Sequence, residues 1–221
     1  MKFAILVFPG SSCEVDVEHA LTEVVGQQAD VLWHTEVADL TAYDAVVVPA
    51  GAAYGDYLRP GALVKGSPAF EALKTFAASG KLVLGVGNGF QILTEAELLP
   101  GALLQNKNLK FQSGVSTLKV ENVKTAFTSE YTEGESIEIP FAHQYGNYFV
   151  DEATLAAMRE NDQIVFTYEG EDHGSTAKIA GVVNEAGNVF GMMPMPERAV
   201  EEILGHTDGL ALFKSILKKV A

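Results

Sequence analysis

The sequence contains a single cysteine, Cys13, in 221 residues. No disulfide can form within such a chain, and a thiolate metal cluster built from it alone is excluded. Positive charge is scarce as well: Lys and Arg total 15 against 29 Asp and Glu, a formal net charge of −14. A surface of that sign repels phosphate backbones and anionic lipid, so neither nucleic acid nor a membrane is an expected partner. A long hydrophobic run is missing too. Met1 to Phe8 is apolar but far too short to span a bilayer, and Pro9-Gly10 ends it without a signal-cleavage pattern. With no export signal and no disulfide pair, the cytoplasm is the expected compartment. Repeats and low-complexity segments are absent. What is present is an ordinary globular balance, 48% hydrophobic and 20% charged residues, enough to build a core.

Across the first half, short β-branched runs alternate with helical patterns, as in a parallel sheet buried on both faces. The pattern predicts strands at Lys2 to Phe8, Ala29 to His34, Asp44 to Pro49 and Lys81 to Val86, with helices at Glu14 to Val25 and Pro68 to Ala78, the latter stopped by Gly80. After Pro100 the texture becomes hairpin-rich. Strands are expected at Gly114 to Asn122, Ser136 to Phe141, Gln163 to Tyr168, Ala177 to Val183 and Val189 to Met193, followed by helices at Glu197 to Leu204 and Gly209 to Val220. The expected architecture is one α/β domain over residues 1–221: a mostly parallel central sheet flanked by helices, with an added antiparallel β region in the second half.

Ligands of open parallel sheets bind beyond the carboxyl ends of the strands. The segments after Val48 and Val86 are both glycine-containing, and Gly85-Val86-Gly87-Asn88-Gly89 has the strand, turn and helix form of a nucleophile elbow. Its middle residue is Gly87, which has no side chain and cannot attack a carbonyl carbon. Neither glycine segment supplies G-x-G-x-x-G or a P-loop lysine, so a nucleotide cradle is disfavoured. No histidine pair stands at i, i+4 and no zinc spacing is present, so no metal is expected, and no cofactor either. Glu169 to Asp172 reads as a solvated turn, and His173 and His206 read as exposed turn residues. His143 reads as structural and His34 as a strand-end residue. Cys13 is expected to be a packed thiol, with a relocated nucleophile at that position as the alternative.

Several stretches together carry a specific resemblance: Phe8-Pro9-Gly10-Ser11 with Cys13 and Asp16, Trp33 to Glu36, Tyr54 to Arg59, Asn88 to Leu93, Ala142-His143 with Gly146-Asn147-Tyr148, and Gly191 to Pro194 with Pro196 to Ala199. Nearly from end to end the chain resembles the PurQ family, the glutaminase subunits of phosphoribosylformylglycinamidine synthase, which are class I glutamine amidotransferases. The resemblance implies the flavodoxin-like fold of that class. It also implies glutamine hydrolysis by a Cys-His-Glu triad through a thioester, with ammonia passed to a synthetase subunit in a complex that includes a small bridging subunit.

Carried onto this sequence, the family nucleophile falls on Gly87, the base histidine on Met195 and the orienting acid on Glu197. Two of three triad positions are lost. Gly51, Asn88, Gln91 and His143 fall on pocket or oxyanion-loop positions. The family's P-G-G-F loop reads Pro49-Ala50-Gly51-Ala52, its A-H-G-E-G segment reads Ala142-His143-Gln144-Tyr145-Gly146, and its F-x-C-R reads Phe111-Gln112-Ser113-Gly114. Three functional readings follow. The first is a glutaminase-deficient PurQ-like subunit with a structural or regulatory role in purine biosynthesis. The second is an enzyme, either the intact amidotransferase or one working from Cys13. The third is a small-molecule binder using the pocket bounded by Gly87, Met195 and Tyr145. Gly87 separates the first from the intact enzyme, since no thioester can form there.

Overall fold

The computed structural model describes residues 1–220. In chain order the elements are β1 (Lys2–Val7), α1 (Glu14–His19), β2 (Gln28–Trp33), β3 (Ala45–Val48), α2 (Pro68–Ala78), β4 (Leu82–Val86), α3 (Asn88–Glu95), β5 (Ala102–Leu104), β6 (Gln112–Val120), β7 (Ser136–His143), β8 (Asn147–Phe149), α4 (Glu152–Glu160), β9 (Ile164–Tyr168), β10 (Ile179–Val183), β11 (Val189–Met192) and α5 (Leu210–Val220). A π-helical turn, Ala20–Val24, continues α1.

Nine strands form one sheet in the order β2-β1-β3-β4-β11-β10-β9-β6-β7. The half from β2 to β11 is parallel. From β11 to β7 every pairing is antiparallel. The antiparallel region expected in the second half is therefore a continuation of the main sheet, and β5 and β8 make a separate two-stranded ribbon. No helix among the described residues is long and apolar enough to cross a membrane.

Strand alternation decides the two cores. Phe3, Ile5, Val47, Leu84 and Val86 face one side and pack with Val17 and Leu21 of the first helical segment and Leu212, Phe213 and Ile216 of α5. Ala4, Leu6, Val46, Val48 and Val83 face the other, against Leu73 and Phe76 of α2, Phe90 and Leu93 of α3 and Met158 of α4. Each large side chain fully buried in this way contributes roughly 1.5–3 kcal/mol of transfer free energy. Both faces being covered is why the parallel strands read as unbroken apolar runs.

Helix ends follow local chemistry. Ser67 caps α2 by accepting from the Ala69 N–H, and Pro68 stands at its first position. Asp151 caps α4 by accepting from the Thr154 N–H at 2.7 Å. Two expectations are corrected. The strand expected from Ala177 starts at Ile179, because Thr176–Lys178 forms a 3-10 turn with Ala177 at φ 51°. The helix expected over Glu197 to Leu204 is two 3-10 turns, Pro196–Arg198 and Glu202–Leu204. Its continuation is blocked because the Ala199 carbonyl accepts from Gly209 N–H at 2.8 Å instead of from a residue one turn on.

Candidate functional site

The loops after β1, β3, β4 and β11 meet at the carboxyl ends of the parallel strands. The loops after β1 and β3 are zipped together by main-chain bonds, Ser12 N–H to the Ala50 carbonyl at 3.1 Å and Ala52 N–H to the Gly10 carbonyl at 2.8 Å. Gly51 sits in this zipper at φ 148°, and a Cβ there would lie 2.6 Å from the Gly10 oxygen. Glycine is therefore required for the two loops to touch.

The turn from β4 into α3 is strained. Gly87 has φ 53° and ψ −110°, a conformation that side chains rarely adopt, and its N–H donates to the Met192 carbonyl at 2.8 Å. A Cβ built on Gly87 would stand 3.0 Å from the Ala50 Cβ. The strand, turn and helix of the expected elbow are present with a glycine at the bend, and the methyl of Ala50 narrows the space into which a side chain would grow.

Asn88 and Gln91 brace this turn. The Asn88 Oδ1 accepts from Ala53 N–H at 2.9 Å, its Nδ2 donates to Gln91 Oε1 at 2.8 Å, and the Gln91 Nε2 donates to the Tyr145 carbonyl at 2.9 Å. The pair thus ties α3 to both the β3 loop and the segment after β7. Beside it runs a loop with three non-glycine residues at positive φ, Tyr54, Asp56 and Leu58. Burial pushes the Asp56 carboxyl up to about 6, and its Oδ1 lies 3.4 Å from Asn88 Nδ2.

The third corner is apolar. Met195, 3% exposed, belongs to the same core cluster as Cys13, Ala50, Val86 and Ile139, and its N–H donates to the Pro140 carbonyl at 2.7 Å. Glu197 is 2% exposed, and neither carboxylate oxygen has a hydrogen-bond partner. Burial pushes its carboxyl up to about 8, with nearby Arg198 opposing the shift and Asp16 adding to it. The main-chain N–H of Glu197 itself also opposes the shift, and no other residue donates to the carboxyl.

Cys13 lies at the start of α1 and is buried. Burial pushes its thiol up, with Glu197 adding to the shift while Ser12 and Arg198 oppose it. Arg198 Nη2 stands 3.4 Å from the sulfur but also holds Asp16 at 2.9 Å. A buried thiol with a raised pKa is a poor nucleophile, which supports the packed-thiol expectation. Iodoacetamide is expected to alkylate Cys13 far more slowly in the native protein than in urea. Equal rates in the two states would revive the relocated nucleophile.

His143, at the end of β7, is buried, and its Nδ1 lies 3.1 Å from Asn106 Oδ1. His34 is also buried, against Ser67 at 3.0 Å. The expectation of an exposed His173 is corrected: the residue is 3% exposed, enclosed by Phe141, His143 and Tyr168. The polar sequence around it, with Glu169 to Glu171 facing solvent, hides this inward turn. Five open cavities of about 360–470 Å³ lie elsewhere on the molecule, and none of them is lined by Gly87, Tyr145, Met195 or Glu197. Ala50 is the site residue whose effect the sequence did not reveal, because its contact with Gly87 joins two separate loops.

This architecture matches known proteins. A chain in a PurLQS structure from Thermotoga maritima is 42% identical, with a TM-score of 0.91, covering 100% of this chain and 99% of that one. Two further structures show the fold alone at 14% identity: a Thermoplasma acidophilum protein described as part of a GMP synthase (TM-score 0.67, 99% of this chain and 93% of that one) and a Thermotoga maritima glutamine amidotransferase (TM-score 0.66, 99% and 97%). The profile of the CobB/CobQ-like glutamine amidotransferase domain matches residues 1–207. The elbow after β4, the loops zipped beside it and the end-to-end match together place this PurQ-like chain in the CobB/CobQ-like glutamine amidotransferase family.

Proposed function

We propose that this protein is a PurQ-like subunit of the purine-pathway complex that makes formylglycinamidine ribonucleotide, and that it does not hydrolyse glutamine. The observation carrying the proposal is Gly87 at the elbow, with the Ala50 methyl set against the place where a nucleophile's Cβ would be. The reaction requires a thiolate to attack the amide carbon, an imidazole to carry its proton, and main-chain N–H groups to hold the oxyanion. Here the first position has no side chain and the second is a buried thioether. Glu197 has no imidazole to orient.

The role is structural or regulatory, exercised through a synthetase subunit. The 42%-identical chain in a PurLQS assembly supports that partner. A small bridging subunit belongs to the same proposal. The purified chain, alone and with its synthetase, is expected to release no ammonia from glutamine above background. Ammonia release that co-purifies with the chain through successive columns would overturn this reading. Size exclusion with the synthetase and the bridging subunit, with and without glutamine, tests the partner role. Failure to associate in either condition would refute it.

A further inference from the structure

Three buried polar atoms in the antiparallel half have no partner within the protein: His143 Nε2, His173 Nε2 and the Tyr168 hydroxyl. The residues come from the ends of β7 and β9 and from the loop after β9, and none is more than 4% exposed. The two imidazoles lie 4.6 Å apart centre to centre at 89°, and Tyr168 lies 5.2 Å from His173 at 83°. The Phe141 ring is 5.1 Å and 4.7 Å from the two imidazoles.

Hydrogen bonding decides both tautomers. Asn106 Nδ2 donates to the carbonyls of Lys110 and His143, so its Oδ1 is an acceptor and the His143 Nδ1, 3.1 Å away, carries the proton. Gln112 Nε2 donates to Glu171 at 2.8 Å, so its Oε1 accepts from His173 Nδ1 at 2.8 Å. Each imidazole therefore presents a bare Nε2 lone pair to the interior. Leaving a buried polar atom unpaired costs about 1–3 kcal/mol, and here three such atoms belong to rings packed about His173.

A ring N–H given to an amide oxygen, with the other nitrogen bare, is the arrangement that orients a metal-ligating histidine. The spacing agrees. Imidazoles bound through Nε2 at right-angled to tetrahedral geometry sit roughly 4.5–5.2 Å apart centre to centre. We propose that His143, His173 and Tyr168 form a site for one divalent transition-metal ion of the nickel, copper and zinc group, for which imidazole is a suitable ligand. Burial holds His143 down to about 3, and burial also lowers His173, although Glu171 and Asp172 oppose that shift. The carboxylates of Glu171 and Asp172 act on His173 and would offset part of the metal's charge.

The site stands apart from the elbow and does not depend on the glutaminase reading. The sequence offered no sign of it, because the ligands are spread over 30 positions and meet only through the sheet order.

Full-length protein stripped with chelator is expected to take up about one Zn²⁺ per chain in calorimetric titration, with a rise in Tm. With Cu²⁺, pulsed electron paramagnetic resonance is expected to show remote-nitrogen modulation from two imidazoles. H143Q and H173Q are each expected to weaken Zn²⁺ binding roughly tenfold or more. The same change at the surface histidines, H19Q with H206Q, is expected to leave binding unchanged. No bound zinc, a signal from fewer than two imidazoles, or loss of binding only in the surface variant would overturn the proposal and leave a buried water as the partner of these atoms. The Cu²⁺ readout uses the unmodified protein, so it stands even if a histidine variant fails to fold.

Discussion

Replacing Gly87 with cysteine is expected to lower stability by about 1–3 kcal/mol, the usual cost of holding a side chain at a sparsely populated backbone conformation. At φ 53° and ψ −110° the new Cβ also meets the Ala50 Cβ at 3.0 Å, inside ordinary van der Waals contact. For a domain of this size each kcal/mol corresponds to roughly 2–4 °C in Tm. Ala50→Gly removes the opposing methyl, so the double variant is expected to recover part of the loss. Touching residues commonly show coupling of about 0.5–3 kcal/mol. Thermal or urea unfolding of the four proteins in the cycle measures it, and additive effects would show that Ala50 does not occlude the site. Adding Met195→His to the pair puts an imidazole two residues from Glu197, at the position the resemblance gives to the base. In that triple variant an electrophilic glutamine analogue is expected to label the introduced thiol at least about tenfold faster than in Gly87→Cys alone. Equal labelling would mean that an imidazole at position 195 does not activate a thiol at position 87.

Stability is expected to fall as pH rises, through Glu197. Burial lifts its carboxyl from the ordinary 4.5 to about 8. Between those values the folded chain keeps a proton that the unfolded chain has released. The folded state therefore binds more protons, and stability declines with rising pH until the loss is complete above about 8. The full effect is of the order of 3–5 kcal/mol, since a displacement of one in pKa corresponds to about 1.36 kcal/mol. Glu197→Gln has no such titration. The difference in Tm between the natural chain and this variant is expected to move in the variant's favour from pH 5 to about pH 8 and to level off above it. A constant difference would mean that Glu197 ionises normally and has a partner. Buried without a side-chain partner, the Glu197 carboxyl is destabilising once it ionises.

The parallel half of the fold was legible because each strand is buried on both faces and reads as a run of β-branched residues, as Val46-Val47-Val48 and Leu82 to Val86 do. α4 escaped detection. Only Met158 along it is fully buried, so its apolar spacing is faint and its clearest signal is the Asp151 cap. The ribbon strands β5 and β8 have three residues each, too few for an alternation to show. The helix expected at Glu197 to Leu204 failed because a main-chain bond from Gly209 captures the Ala199 carbonyl, an event ten residues away in sequence.

The glycine at position 87 and the methionine at position 195, on which the proposed loss of glutaminase activity rests, were readable by themselves, since both are matters of side-chain identity. One cysteine in the whole chain, placed at position 13, already excluded a thiol at the elbow. Tertiary structure alone decided the rest: that the methyl of Ala50 stands 3.0 Å from where a Cβ on Gly87 would go, that the Glu197 carboxyl has no side-chain partner, and that His143 and Tyr168 both pack against His173. The reason is physical. Identity is local, whereas contact distance, desolvation and the orientation of lone pairs depend on segments that only the assembled sheet brings together.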